Sequence, residues 1–328
     1  MTILVTGSAG HLGEALMRTL RSQGRDARGI DIKASAFTDK VGSITDRAFV
    51  RASMADVESV LHTAALHKPH VATHSRQNFV DTNVTGTLNL LERALTGGVG
   101  SFIFTSTTST FGDALRPPPD QPAAWITEET TPVAKNIYGA TKTAAEDLCR
   151  LFHRNSGLPC LVLRTSRFFP EPDDDPRRRA RHDDTAVKIC ELLYRRVDIA
   201  DVVDAHLLAI ERAPVIGFDK FIISATSPFR RDDLAELRRQ TVALIARRVP
   251  GCRKVFNDKG WRLLDDIERV YVNQHARQRL GWCPRHDFAR AIDDLAAGRD
   301  YRSRLACEIG AKGYHDVEYP DGIFPVEH

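Results

Sequence analysis

The first thirteen residues constrain this chain more than any other stretch. Ile3-Leu4-Val5 is a short apolar run that passes straight into Thr6-Gly7-Ser8-Ala9-Gly10-His11-Leu12-Gly13, and a helical pattern follows over 11–22. A strand, a glycine turn and a helix in that order form a βα unit whose three glycines have separate tasks. Gly7 permits the tight turn, Gly10 lets the backbone approach a pyrophosphate, and Gly13 lets the helix lie on the strand. The helix N-terminus then favours the negative charge. The rival reading is a tight βα turn with no ligand.

Apolar, strand-like runs recur at 27–30, 57–61, 101–105, 159–163 and 221–223, and helical patterns alternate with them at 75–95 and 136–154. Short strands that are apolar throughout are buried on both faces, which is the signature of parallel βαβ units. The expected fold class is α/β, a Rossmann-type doubly wound parallel sheet with a smaller C-terminal substrate-binding lobe. The expected division is 1–165 for the nucleotide-binding part and 166–328 mainly for the lobe, with part of 196–225 returning to the sheet. Helical patterns are also expected over 201–212, 231–248 and 287–297. Residues 171–184 carry Asp173-Asp174-Asp175, Arg177-Arg178-Arg179 and Arg181-His182, and read as a solvated loop with internal ion pairs. The alternative is a lid that grips an anionic substrate.

Composition excludes several classes. With 42% hydrophobic and 27% charged residues over 328 positions, the chain is an ordinary globular one. A net charge of +3, with acidic residues interleaved among the arginines, gives no reason to expect nucleic acid. No apolar run is long enough to span a membrane, and the N-terminus lacks a signal peptide's basic region and cleavage site. The six cysteines are scattered with no CxxC, so a reducing cytoplasm is expected, with no disulfide frame and no metal site.

Asp31 ends the second strand-like run, near the offset of about 20 residues where an acid meets the ribose hydroxyls. A carboxylate there repels a 2′-phosphate, so NAD is expected before NADP, although Arg28 and Lys33 flank it. Tyr138 and Lys142 stand four apart on one helical face. An ammonium beside a phenol lowers its pKa and lets it exchange a proton with an alcohol or carbonyl. Taken alone, the spacing reads equally as a solvated pair. Upstream, residues 102–113 are a strand entering a hydroxyl-rich turn.

Together these motifs resemble the extended short-chain dehydrogenase/reductase family, in its NAD-dependent epimerase/dehydratase branch. The TGxxGxxG is Thr6 to Gly13; HxAA appears as His62-Thr63-Ala64-Ala65; NxxGT appears as Asn83-Val84-Thr85-Gly86-Thr87. The serine-rich turn is 106–112, YxxxK is Tyr138 and Lys142, and the Arg after the sixth strand is Arg164. Asp201-Val202-Val203-Asp204-Ala205-His206 and Leu280-Gly281-Trp282-Cys283-Pro284 are similar to later family motifs.

The resemblance implies Tyr138 as general acid/base, Lys142 on the nicotinamide ribose, and Thr107 on the reacting oxygen. It implies a cofactor cradle of Gly7, Gly10, His11, Leu12 and Gly13. Asp31 would take the adenosine ribose, Ser43 and Ile44 the adenine, and Thr63, Ala64, Ala65, His67 and Asn83 would line the cofactor path. Candidate substrate contacts are Lys68, Thr108, Arg167, Arg195 and Arg196. The implied activity is NAD-dependent redox chemistry on a sugar or nucleotide-sugar hydroxyl, as an epimerase or, alternatively, as a sugar or uronate dehydrogenase. A reading of another class is a catalytically silent NAD-binding regulatory protein. A homodimer through helices 75–95 and 136–154 is implied as well.

Three departures shape these expectations. Thr107 is followed by Thr108 and Ser109, without the acidic residues a 4,6-dehydratase uses to eliminate water. The usual Tyr before Gly is Phe111. The stretch between Arg164 and Asp201 is short for a nucleotide-sugar enzyme, and Phe169-Pro170-Glu171-Pro172 resembles a segment of uronate dehydrogenases.

Overall fold

A computed structural model describes residues 2–173 and 175–313. Asp174, the Arg177 side chain and the 314–328 part of the expected lobe lie outside the described residues.

Seven strands form one sheet: β1 (Thr2–Thr6), β2 (Ala27–Asp31), β3 (Lys40–Val41), β4 (Val57–His62), β5 (Ser101–Thr107), β7 (Cys160–Thr165) and β8 (Phe218–Ile223), in the order β3-β2-β1-β4-β5-β7-β8. Every pairing in it is parallel. The order reverses between β1 and β4, and such a reversal leaves a crevice at the carboxyl ends of the strands. The central strands β1, β4, β5 and β7 are almost wholly buried because helices cover both faces, whereas the edge strand β3 is exposed. On one face α1 (His11–Ser22) and α8 (Ile199–Ile216) pack over Ile3, Val5, Leu61, Ile103, Leu163 and Phe221. On the other, α2 (Arg47–Ser53), α4 (Gly86–Thr96) and α5 (Ile137–Ser156) cover Leu4, Val60, Phe102, Phe104 and Val162.

Two expected elements differ. The helix foreseen over 75–95 begins as α3 (Arg76–Phe79), passes through a π turn at Val80–Thr85 and continues as α4. A π turn turns a side chain off the regular face, and functional positions are where such turns concentrate; here the side chain is Asn83. The segment 171–184 holds a helix, α6 (Pro176–Arg181), and Asp173 in it is buried. The expected ion pairing holds, but at Asp173 it lies inside the protein, where Arg167 and Arg195 reach it at 3.1 and 2.8 Å, while Asp175, Arg181, Asp183 and Asp184 are exposed.

The lobe builds its own core from α7 (Asp184–Glu191), α9 (Leu234–Arg239), α10 (Thr241–Arg248), α11 (Cys252–Asp258) and α13 (Phe288–Ala296). The pattern over 231–248 splits into two helices at Gln240, where the backbone leaves helical geometry. A two-stranded parallel sheet pairs β6 (Ala124–Ile126) with β9 (Arg269–Tyr271). Between lobe and sheet, α12 (Gln274–Leu280) and α14 (Arg304–Ile309) return to α8 and α1. After α12, Trp282 is 1% exposed and its indole N–H donates to Asp201 O at 2.9 Å. The Asp201 carboxylate also accepts the backbone N–H groups of Arg285 and His286. The family-like motifs at 201 and 282 are thus one clasp joining α8 to the C-terminal segment. Trp282→Ala should cost about 3–5 kcal/mol of stability, as for other buried Trp truncations. Equilibrium denaturant unfolding would measure it.

Candidate active site

The turn after β1 is too tight for a side chain at Gly7 or at Gly13. Gly7 has φ +74, and a Cβ there would lie 2.8 Å from Ala64 N; one on Gly13 would lie 1.9 Å from Gly7 O. Gly10 differs, because it is exposed and its added Cβ would meet only Gly7 O, at 3.3 Å. Protein packing therefore does not exclude a side chain at Gly10, whereas a Cβ there would stand over the open start of α1, which no side chain caps. A cradle kept clear in this way fits a pyrophosphate. At the end of β2, Asp31 accepts the backbone N–H of Ala9 at 3.0 Å and of Lys33 at 2.9 Å. It braces the glycine turn and stands beside it.

Thr63, Ala64 and Ala65 leave β4 next to this turn. Thr63 Oγ1 donates to Thr6 O, while the N–H groups of Thr63 and Ala64 converge on Thr6 Oγ1. Ile44 is core, packed on Gly86, and Ser43 bonds its neighbour Thr45. The Leu12 side chain is buried in the α1 core, so only its backbone faces the cradle. The His11 ring turns away to Glu171, 2.8 Å off. Asn83 is buried: its carbonyl accepts from Leu66 N, and its amide donates to Leu66 O and Thr141 Oγ1. It fastens the loop after β4 to α5 rather than facing the crevice. His67 caps a short turn at Lys68–His70, with Lys68 exposed, and its ring lies 5.6 Å from Phe169.

Asn136 caps α5 through Gly139 N, and Gly157 ends it in left-handed geometry. The helix thereby holds Tyr138, Lys142 and Glu146 on one inward face. Thr107, at the carboxyl end of β5, lies beside Tyr138, and Thr108 starts the following turn, buried. Burial pushes the Tyr138 hydroxyl up to about 12, and Thr107 draws it back only in part. Burial brings Lys142 down to about 7 against the pull of Glu146. Desolvation thus outweighs the mutual stabilisation expected from the Tyr138–Lys142 spacing. The Lys142 Nζ rests 3.9 Å from the centre of the Phe104 ring.

The sequence reading missed Glu146, although its i+4 spacing from Lys142 repeats that of Lys142 from Tyr138. Glu146 is completely buried and holds Arg164 at 2.7 Å, Lys220 at 2.9 Å and the Ser106 hydroxyl at 2.6 Å.

From β7 the chain crosses the end of the sheet as a strap. Phe169 touches the rings of both His11 and His67, and Glu171 bonds His11 and the backbone N–H of Lys312. Behind it, Arg167, Arg195 and Arg196 gather on the buried carboxylates of Asp173 and Glu191. Burial drives the Glu191 carboxyl up, but the three guanidinium groups hold it well below the usual range. A cavity of about 360 Å³ opens behind the strap, lined by His11, Pro170, Lys188 and Arg302. Its charges are already matched within the protein, Lys188 by Asp184 and Arg302 by Asp300.

A sequence profile of the NAD dependent epimerase/dehydratase family matches residues 3–217. The chain belongs to this family. Its cofactor is NAD, and the cradle at Gly10 fits that group. The chain is 30% identical over 169 residues to a UDP-glucose 4-epimerase of Erwinia amylovora, a match covering 46% of this chain and 48% of that enzyme. The matched stretch thus spans about half that relative's length. A short-chain dehydrogenase/reductase superfamily protein from Agrobacterium tumefaciens with bound NAD superposes with a TM-score of 0.64 at 25% identity, over 94% of this chain and 99% of that one. A uronate dehydrogenase shares the fold, with a TM-score of 0.61 at 18% identity over 91% and 86% of the two chains. Among the described residues no helix is long and apolar enough to cross a membrane.

Burial pushes the Glu171 carboxyl up, but His11 and the Lys312 N–H bring it down to about 2. The strap contact therefore stabilises the fold fully above the ordinary carboxyl value of 4.5 and is lost as pH falls through about 2. Glu171→Gln should cost about 1–3 kcal/mol at pH 7. The gap from the parent should begin to narrow in unfolding curves taken below pH 4.5 and close only as pH falls through about 2.

Proposed function

We propose that this family member is an NAD-dependent oxidoreductase/epimerase that works on a sugar or nucleotide-sugar hydroxyl through Tyr138. The observation that carries the reading is the placement of Tyr138 and Lys142, one turn apart on the buried face of α5, with Thr107 beside the Tyr138 hydroxyl at the carboxyl edge of the sheet. Bound NAD supplies the hydride acceptor. Tyr138 Oη takes the proton of the substrate hydroxyl, Thr107 Oγ1 holds that oxygen, and the Lys142 ammonium steadies the phenolate. The backbone from Gly10 to Gly13 binds the pyrophosphate, Asp31 the adenosine ribose, and Lys142 the nicotinamide ribose. Ser43 and Ile44 border the adenine, and Thr63, Ala64, Ala65 and His67 line the path between. His11 and Asn83 serve by fixing loops, through Glu171 and Leu66.

The epimerase reading is supported by the UDP-glucose 4-epimerase relative. Return of the hydride to the opposite face of the keto intermediate would complete it. The dehydrogenase alternative is supported by the Phe169–Pro172 strap and by the arginine cluster: Arg167, Arg195 and Arg196 pair with Asp173 and Glu191 but outnumber them, a positive excess that would suit a phosphate or uronate carboxylate. Lys68 and Thr108 are further contacts in this reading. A 4,6-dehydratase is disfavoured because Thr108 and Ser109 follow Thr107. We also propose a cytoplasmic homodimer. Free thiols at all six cysteines support the compartment, and Val80, Leu95 and Leu151 exposed along the two helices support the interface.

The enzyme should be challenged with UDP-glucose, UDP-glucuronate and free uronates, with nicotinamide absorbance and product chromatography followed together. Epimer without absorbance change supports the epimerase, and net absorbance growth supports the dehydrogenase. NAD binding without turnover supports the regulatory protein. Tyr138→Phe should lower turnover at least about a hundredfold while NAD still binds; unchanged turnover overturns the mechanism. Asp31→Ala should weaken NAD more than NADP in a binding titration, and equal loss would show that Asp31 does not read the 2′ position.

A further inference from the structure

We propose that Glu146 is a positioning residue for this reaction: it holds Lys142 as the charged partner of Tyr138, and Arg164 and Lys220 set how much of its negative charge Lys142 receives. The proposal rests on Tyr138 and Lys142 being the acid–base pair. Its ground is geometric. Tyr138, Lys142 and Glu146 succeed one another at i, i+4 and i+8, so they share one face of α5. That face is closed off from water at Lys142 and Glu146, which are 3% and 0% exposed.

An ammonium taken out of water loses its solvation and becomes neutral unless a negative group stands near. The groups around Lys142 are few among the described residues. On α5 they are Glu146 and the buried thiol of Cys149, with Tyr138 one turn before on the same face. From β5 comes Phe104, whose ring face attracts the ammonium. From β4 comes His62, which burial and then Lys142 hold well below its usual pKa, so it stands neutral. Glu146 is the carboxylate of this set, and burial pushes it up, but Arg164 and Lys220 keep it ionised.

Two cations share that carboxylate, and they come from adjacent strands. Arg164 lies on β7 opposite Ser106 of β5, and both bond Glu146; Lys220 lies on β8. Arg164 makes two contacts to Glu146 through Nε and one through Nη2, which fixes the carboxylate plane. Lys220 is the more exposed partner and makes a single contact. Removing Lys220 therefore leaves the carboxylate in place and frees more of its field for Lys142. Removing the Glu146 charge does the reverse. The two changes must move Lys142 in opposite directions, which a packing role alone would not produce.

The experiment follows Lys142 itself, in the NAD-loaded enzyme, by NMR of lysine labelled with carbon-13 at Cε. The Lys142→Met spectrum assigns the resonance. In Glu146→Gln its titration should move down by about one to two pH units, and in Lys220→Met up by about half a unit to one. Opposite shifts support the proposal. No shift in either folded variant, or shifts of the same sign, overturns it. If Glu146→Gln fails to fold, Lys220→Met decides alone, with an unmoved titration overturning the proposal. The readout needs no substrate, so its failure is separate from a failure of the Tyr138→Phe turnover test.

Discussion

Burying Lys142 is the constraint around which the centre of this molecule is arranged. An ammonium with almost no contact with water is costly unless opposite charge and polarisable surface surround it. The chain answers with the Phe104 ring on one side and Glu146 one turn further along α5. Glu146 is then itself a buried charge and needs its own partners. Those come from three adjacent strands: Ser106 on β5, Arg164 on β7 and Lys220 on β8. The same bonds that satisfy the site thereby stitch α5 to the sheet. Removing Glu146 would leave Arg164 buried and unanswered, a larger loss than the pair itself contributes.

The second arrangement follows from the order of the strands. Reversal between β1 and β4 opens the crevice, and the turn at Gly7 and the loop at Ala64 meet there so closely that neither has room for more atoms. The crevice is roofed from the far half of the sheet by the strap that leaves β7. Its ends are tied by Arg167 and Asp173, and its tip by Glu171 and His11. Pro170 and Pro172 stiffen the span between. The start of α1, the loop after β4 and the lobe are thus held relative to one another by a rigid crosspiece.

The sheet, its βα units and the glycine turn were legible because parallel strands and tight turns leave local marks: apolar runs for burial on both faces, glycines where a Cβ cannot stand. Tyr138, Lys142 and Thr107 carried marks of the same local kind. What stayed hidden was long-range pairing. Nothing near Glu146 in sequence shows that Arg164 and Lys220 converge on it. The run 171–184 was legible in part: Asp175, Arg181, Asp183 and Asp184 are exposed as a solvated run should be, but Asp173 is buried under Arg167 and Arg195, partners from outside the run. His11 and Asn83 sit in recognisable motifs, but their side chains answer to Glu171 and Leu66, partners that only folding supplies.

These arrangements separate two tasks. In the proposed reaction, proton exchange at Tyr138 would depend on α5 and on strands β5, β7 and β8, which Glu146 joins into one layer. Substrate selection would in that reading fall to what faces the layer, the arginine cluster behind the strap and the lobe with its separate core. Were the proposed epimerase reaction to hold, its intermediate would need room to turn on the lobe side, and a change of reaction within this scaffold would begin with lobe residues while the Lys142–Glu146 layer stays as it is.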